Sequence, residues 1–326
     1  MNLCNQDSTA IIRALLGDPV KGNSTASDWR YGPRGHLSVV PARGVWHDKK
    51  ADKGGGLFDL VVHLGHAKNR SEAAKWLKAG NLMPANAARV YSGETLHQKA
   101  ERLAAEAKEA EAKRARAMEI WDQAQSIADT PASNYLTEAR CIPEAVLEGV
   151  STLRFHPNAP LHPYTRGGYV YPALVALVQG ADGEAVGVHL TFLLPDGAGK
   201  ADLPTSRKFC GKGFNGAAVR LGGGPDLIVG EGIESALSAG YALGLTPVAA
   251  LSATGTKTFQ WWKGVKAVAF APDIDASGLG MQAARFAAER LHHAGVKVAG
   301  FAIPPNGLND WNDAARAGLL NKEARS

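Results

Sequence analysis

The chain has 326 residues, 45% of them hydrophobic and 21% charged, with 36 Lys and Arg against 31 Asp and Glu for a formal charge of +5. That length suggests about two domains at roughly 150 residues each, no apolar run approaches the ~18 residues of a membrane span, and MNLCNQDSTA carries no basic-then-apolar leader. Cys4, Cys141 and Cys210 are too scattered for a disulfide framework or a CxxC zinc pair, so a cytoplasmic protein is expected, and +5 alone does not mark a nucleic-acid binder.

Residues 1–85 form a first zone. The periodicity of DSTAIIRALLGDP predicts a helix ending at Gly17 and Pro19. HLSVV (36–40) and GVWHD (44–48) read as strands joined through Pro41-Ala42-Arg43, a hairpin. After Gly54-Gly55-Gly56, LFDLVVHLGH (57–66) reads as a helix, and SEAAKWLKAG as another with a Ser cap and a stop at Gly80. Residues 86–130 form a charged linking helix. Between Glu94 and Glu119 it holds six acidic and six basic side chains, among which Glu109 and Lys113 have the favourable i,i+4 order. A solvated helix is the plain reading, a surface for a partner helix the other, and neither carries catalysis.

In residues 131–225, NYLTEARCIPEAVL predicts a helix, a turn and a second short helix. PALVALVQGADGEAVGVHLTFLLPDG predicts two strands around the Asp182-Gly183 turn. SRKFCGKGFNGAAVR then places Arg207, Lys208, Lys212 and Arg220 in 15 residues without an acid, interleaved with Phe209 and Phe214. These four, with Lys257 further on, are candidate ligands for phosphate, and Gly211, Gly213 and Gly216 would let backbone approach it closely. A solvated basic loop is the alternative.

From 226 to 326 strand and helix alternate. DLIVG (226–230), PVAAL (247–251), AVAFAP (267–272) and VKVAGFAIP (296–304) are apolar runs separated by the helical IESALSAGYALG and LGMQAARFAAERLHHAG. Doubly buried strands with crossover helices mean a small parallel α/β sheet. This zone holds nine acidic and nine basic residues, so the whole surplus of positive charge lies upstream. Ligands bind such sheets at the carboxyl ends of the strands. Glu231 follows the first strand, and Asp273 and Asp275 follow the third, spaced to face one point. Three carboxylates there make a hard-oxygen site suited to Mg²⁺ or Mn²⁺ and to phosphoryl transfer, unless they merely cap the following helices.

The turns VGEGIESALSA and APDIDASGLG resemble the Toprim domain of bacterial-type primases, topoisomerases and some nucleases. With AALSATG and GLNDWNDA, they look most like primases of phages, plasmids and integrative elements. ASNYLTEARCI, LRFHPNAP, YPALVALV, GVHLTFL and the SRKF…VRLG stretch fall in that family's order upstream. Residues 20–80, above all LSVVPARGVWHDKKADKGGGLFDLV, resemble its N-terminal zinc-binding domain. The resemblance implies an N-terminal β-ribbon and helix domain (1–85), the linking helix (86–130), a mixed α+β primase-core region with the basic loop (131–225) and a Rossmann-like Toprim domain (226–326). It implies a primase making RNA primers on single-stranded DNA from nucleoside triphosphates. Glu231, Asp273 and Asp275 would be catalytic and would hold Mg²⁺, with Asp310 of NDWNDA as a further carboxylate beside Asp313. Arg207, Lys208, Lys212, Arg220 and Lys257 would bind template or nucleotide.

Two departures stand out. The zinc-domain segment lacks the family's cysteines, and His36, His47, His63 and His66 read better as structural histidines than as ligands, so no zinc is expected. Ser235 stands where replicative primases often place an aspartate, and Glu234 beside it points about 100° away on a helix. Arg30, Arg34, Arg43, Lys49, Lys50 and Lys53 would help select template, with Trp29, Tyr31 and Trp46 either stacking on bases or packing in a core. No GxxxxGK[ST] loop occurs, so no fused helicase motor is expected; a separate replicative helicase or initiator of a mobile element, and no membrane, is the implied setting. A Toprim nuclease and a decayed single-strand-binding accessory protein are the competing readings.

Overall fold

The computed structural model describes residues 4–20, 22, 24–80, 96–165 and 167–320. They form two compact units, Met1–Glu101 and Arg102–Ser326.

In the first unit, helix α1 (Cys4–Leu16) stops where Gly17 takes a φ of 74°. Strands β1 (Trp29–Tyr31), β2 (Leu37–Val40), β3 (Val45–Asp48) and β4 (Lys53–Gly55) pair antiparallel in sequence order. The hairpin expected between 36 and 48 is β2–β3, closed by Gly44 in the left-handed region. Strand β4 escapes a side-chain pattern because pairing excludes side chains from it: a Cβ on Gly54 would lie 2.7 Å from the Trp46 carbonyl. Helices α2 (Leu57–His63) and α3 (Arg70–Ala79) cover the sheet. Asn69, two residues before the expected Ser71, caps α3 by accepting from the Glu72 N–H at 2.9 Å.

Trp29, Tyr31 and Trp46 are at most 9% exposed and belong to this unit's core with Ile12, Val39 and Leu60, so they are packing residues and not stacking platforms. The Arg34 side chain lies outside the described residues. At the heart of the unit Asp48, 7% exposed, lies 3.0 Å from both His36 Nδ1 and His63 Nε2 and accepts from the backbone N–H groups of Lys50 and Ala51. The His63 ring stacks on Trp46, and that of His66 on Trp76. Burial alone would raise the Asp48 pKa; the hydrogen bonds from His36, the backbone and His63 outweigh it and bring the carboxyl down to about 2.

The division between units falls within helix α4 (Leu96–Asp122). Its exposed turns carry i,i+4 pairs such as Arg102–Glu106 and Glu109–Lys113. Its last turns are a core element: Ala117, Ile120 and Trp121 are buried with Val175, Val188 and Leu190. Those three come from an antiparallel sheet of β5 (Gln125–Ser126), β6 (Leu153–Pro160), β7 (Val170–Gln179), β8 (Ala185–Phe192) and β9 (Arg207–Gly211), ordered as in the chain. The expected Asp182-Gly183 turn joins β7 to β8, with Gly183 at φ 90°. The first five residues expected as a basic loop are strand β9. A short helix α5 (Pro131–Asn134) runs into a π-helical turn, Tyr135–Ala139.

The C-terminal sheet has the order β10 (Val219–Arg220), β12 (Thr246–Ala249), β11 (Asp226–Gly230), β13 (Ala267–Ala271) and β14 (Lys297–Phe301), parallel except for β10. Helices α6 (Ile233–Leu243), α7 (Ala253–Thr258), α8 (Leu279–His293) and α9 (Trp311–Arg316) accompany it. Every residue of α6 from Ile233 to Gly240 is buried. One side of α6 packs on Tyr135, Leu136 and Leu153, while Ala239 on another meets Trp311 and Ala314. No helix among the described residues is long and apolar enough to cross a membrane.

Asp48→Asn removes the charge on which two imidazoles and two amides converge, and the expected loss is about 1–3 kcal/mol at pH 7, read by urea unfolding. Because the folded pKa is depressed, the Asp48 contribution is present above 3.8 and fades as pH falls toward about 2, so the stability difference between wild type and variant shrinks over that window. An equal acid slope in both proteins refutes the role given to Asp48.

Candidate functional site

Parallel strands β11 and β13 are neighbours, with Gly230 opposite Ala271. Glu231 and Asp273 therefore leave the sheet side by side at its carboxyl edge. The loop before α9 is latched to them by the Ile274 N–H, which donates to the Asn309 carbonyl at 2.6 Å, and this brings in Asp310. Glu231, Ser235, Asp273 and Asp310 line a cavity of about 330 Å³. Gly280, in the first turn of α8, permits the closeness: a Cβ there would lie 2.7 Å from Glu231 Oε1 and 2.6 Å from the Asp273 carbonyl.

The oxygens are unequally employed. Asp310 Oδ1 caps α9 by accepting from the Asp313 N–H at 2.8 Å, so Asp310 both starts the last helix and faces the cavity. Asp275 is exposed and is not part of the cavity wall. Its Oδ1 accepts from the Ser277 N–H and hydroxyl and from the Gly278 N–H, and these bonds, the hydroxyl first, lower its pKa. The buried Asp273 Oδ1 and Ser235 Oγ have no hydrogen-bond partner among the described residues. Burial, then Glu231, Asp310 and Asp275, push the Asp273 carboxyl up to about 7, and burial and Asp275 also raise Glu231.

Arg140, Lys200 and Arg207 line the same cavity. They converge with Glu234, which turns away from the other carboxylates, as its helical offset requires. Its Oε1 lies 3.0 Å from Lys200 Nζ and 3.7 Å from Arg207 Nη2 and accepts from the Tyr135 hydroxyl, which itself accepts from Arg140 Nε at 2.9 Å. Burial works against the Glu234 charge, but Lys200, Arg207 and Tyr135 outweigh it and bring the pKa down to about 2. Burial in turn pulls Lys200 below its ordinary value.

Of the basic residues singled out in the sequence, Arg207 reaches this cavity. Strand alternation turns Lys208 to the opposite face of β9, where its ammonium lies 3.3 Å from His162 Nδ1. Lys212 is exposed beyond the strand end. Arg220 donates to the Gly180 and Ala181 carbonyls and lies over the Trp262 ring at 4.0 Å, pinning the β7–β8 hairpin, and Lys257 lies over Phe286 at 4.7 Å. Sequence reasoning passed over Tyr135, Arg140 and Lys200. Lys200 lies 60 residues beyond Arg140, and the one local signal is the Tyr135-to-Arg140 spacing of YLTEAR.

The donor set fits a divalent cation of the Mg²⁺ kind: an unpartnered buried carboxylate oxygen among mutually repelling carboxylates is relieved by such a charge. No three His, Cys, Asp or Glu side chains among the described residues form a ready cage. Mg²⁺ needs none, since it keeps several waters and takes one or two carboxylates together with substrate phosphates.

Residues 226–319 match the Toprim domain, and residues 111–221 match a domain of unknown function, DUF7146. No curated protein sequence matches the chain. Among solved structures, the chain is similar to the Aquifex aeolicus primase (zinc-binding and RNA polymerase domains) at 15% identity and TM-score 0.46, covering 100% of this chain and 85% of that one. The primase fragment of the bacteriophage T7 primase-helicase aligns at 17% identity and TM-score 0.37, over 60% and 76% of the two chains. The RNA polymerase domain of the Mycobacterium tuberculosis primase aligns at 18% and 0.38, over 65% and 82%.

Two outcomes test this geometry. Asp273 is raised on folding, so its own contribution to the stability of the metal-free protein declines as pH climbs from 3.8 to about 7; Asp273→Asn removes that contribution, so the wild-type minus variant difference in thermal melts falls across this window, and a difference that does not change with pH counts against the clustered carboxylates. Glu234→Gln leaves two cations facing a neutral amide in a buried site and costs about 3–5 kcal/mol by urea unfolding.

Proposed function

We propose that the protein is a DNA primase that synthesises RNA primers on single-stranded DNA by Mg²⁺-dependent nucleotidyl transfer. The observation that supports this most is the meeting, in one cavity, of the Toprim carboxylates Glu231, Asp273 and Asp310 and the upstream cations Arg140, Lys200 and Arg207. Triphosphate chemistry needs both: oxygen ligands for a divalent ion and fixed positive charge for the oxygens the ion does not cover. The ordered motifs upstream of the Toprim match favour priming over simple phosphodiester cleavage.

Glu231, Asp273 and Asp310, which line the cavity, would hold Mg²⁺ or Mn²⁺, with Asp275 just outside its wall. When bound, that ion supplies a lowered pKa for the attacking 3′-hydroxyl and charge neutralisation on the triphosphate. Lys200 and Arg207 are held in place by Glu234, so their charge on the triphosphate and on the departing pyrophosphate is fixed before substrate arrives. Arg140, pinned by its bond to the Tyr135 hydroxyl, adds a third cation from the π-helical turn. Lys208 and Lys212, on the other face and the end of β9, suit template phosphates, which carry no sequence information. A separate helicase or initiator of a mobile element is the partner this reading implies.

Incubation with single-stranded template, labelled ribonucleotides and Mg²⁺ is expected to give oligoribonucleotides, lost about 100-fold or more in Glu231→Gln and Asp273→Asn. Shortened template in place of product would instead indicate a nuclease, and template binding with neither product an accessory binding protein.

A further inference from the structure

A second cavity, of about 370 Å³, opens beside the first. The two share Leu251 and Ser252 in their walls and are therefore adjacent. Its character is different: Phe209, Phe214, Val178, Ala217, Ala250 and Leu251 give it an apolar, partly aromatic lining. One strand serves both. Arg207 and Phe209 are two apart on β9 and so share a face; Arg207 enters the charged cavity and Phe209 the apolar one.

Phe209 is 42% exposed, an unusual position for a phenyl ring whose neighbours on the strand, Cys210 and Gly211, are buried. Its orientation is nevertheless fixed from two directions. Phe214 packs against it with centroids 4.9 Å apart at 59°, and the buried His189, directly across on β8, meets it edge-on at 5.0 Å. Burial holds that imidazole's pKa down to about 4, so it backs the phenyl as a neutral ring at pH 7. Between the two cavities, Leu251 adopts a φ of 68°, a left-handed conformation that a side-chain-bearing residue rarely takes. At the mouth, Asn215 is exposed and makes no side-chain hydrogen bond among the described residues, and Thr254 is exposed beside it.

We propose that this cavity receives the base of the incoming nucleoside triphosphate, stacked on Phe209 against Phe214, while its phosphates occupy the charged cavity. The inference rests on the nucleotidyl-transfer reading of the neighbouring site and adds the place and chemistry of base recognition. One ligand spanning both cavities needs an anionic end for Lys200, Arg207 and a divalent ion, and a flat apolar-faced end for the phenyl pair. A nucleotide has that form, whereas a polyphosphate has only the first end and a greasy side chain only the second. Every base has a π-face, so stacking accepts all four, and the few polar groups at the mouth leave base choice to the template.

The test is calorimetric titration of the full chain, with Mg²⁺, by ATP, by UTP, by inorganic tripolyphosphate and by single-stranded DNA, in wild type, Phe209→Ala and Phe209→Tyr, each checked for an unchanged melting curve. Wild type is expected to bind ATP and UTP more tightly than tripolyphosphate. Phe209→Ala is expected to lose about tenfold in affinity for ATP with tripolyphosphate unaffected, and Phe209→Tyr to keep the wild-type value. Equal wild-type affinity for ATP and tripolyphosphate, or an Ala variant that weakens both alike, overturns the base pocket and leaves the primase reading standing. An Ala variant that loses single-stranded DNA but keeps ATP assigns the cavity to a template base and likewise overturns it. Wild type that binds neither ATP nor tripolyphosphate overturns the nucleotidyl-transfer reading itself, and the pocket with it.

Discussion

The buried carboxylate of Glu234 is the point on which the functional half of the molecule depends. It sits in the first turn of α6, a helix with no exposed face over its first eight residues, where an unpaired charge would be intolerable. Its partners come from elsewhere in the chain: Lys200 from the loop after β8, Arg207 from β9 and Tyr135 from the π-helical turn. The antiparallel sheet and the parallel sheet are thus joined by charge as well as by the apolar cluster around Leu136 and Leu237. A buried ion pair of this kind adds little net stability over an apolar isostere. What it gives is position, since two flexible cations are fixed over a cavity.

The carboxylate cluster is built on the reverse principle. Glu231, Asp273 and Asp310 are brought together by strand register, by the latch from Ile274 to Asn309 and by a glycine where no side chain fits, and Arg207 offsets the burial and mutual repulsion at Asp273 only in part. Carboxylates forced together at the cost of their own ionisation mark a site whose compensating charge arrives with substrate. Satisfied cations and frustrated anions thus line the same polar cavity.

Much of this was legible in the chain itself. The alternation of DLIVG, AVAFAP and their helices announces a parallel sheet, and Glu231 and the Asp273–Asp275 pair follow from where such strands end. Other elements left little trace. Strand β4 holds two glycines in three residues, and at Gly54 the lack of a side chain is what lets it pair with β3, while β9 was hidden because Arg-Lys-Phe-Cys-Gly does not alternate by polarity. The clustering of Arg207, Lys208, Lys212 and Arg220 suggested one basic surface. Alternation along β9 and the carbonyls at Gly180 and Ala181 disperse it over three places.

The sequence by itself determined the elements whose signals are local: hydrophobic period, glycine stops, the Asp182-Gly183 turn and the acidic residues at strand ends, each governed by forces acting over a few residues. Only the tertiary structure decided which charges meet. Tyr135, Arg140, Lys200 and Arg207 are brought to Glu234 by the packing of two sheets on one helix. Asp275 is drawn out of the cavity by its own turn, while the more distant Asp310 is drawn in. The +5 of the whole chain is silent on this, because an electrostatic site depends on distances and burial, and those are fixed by the fold.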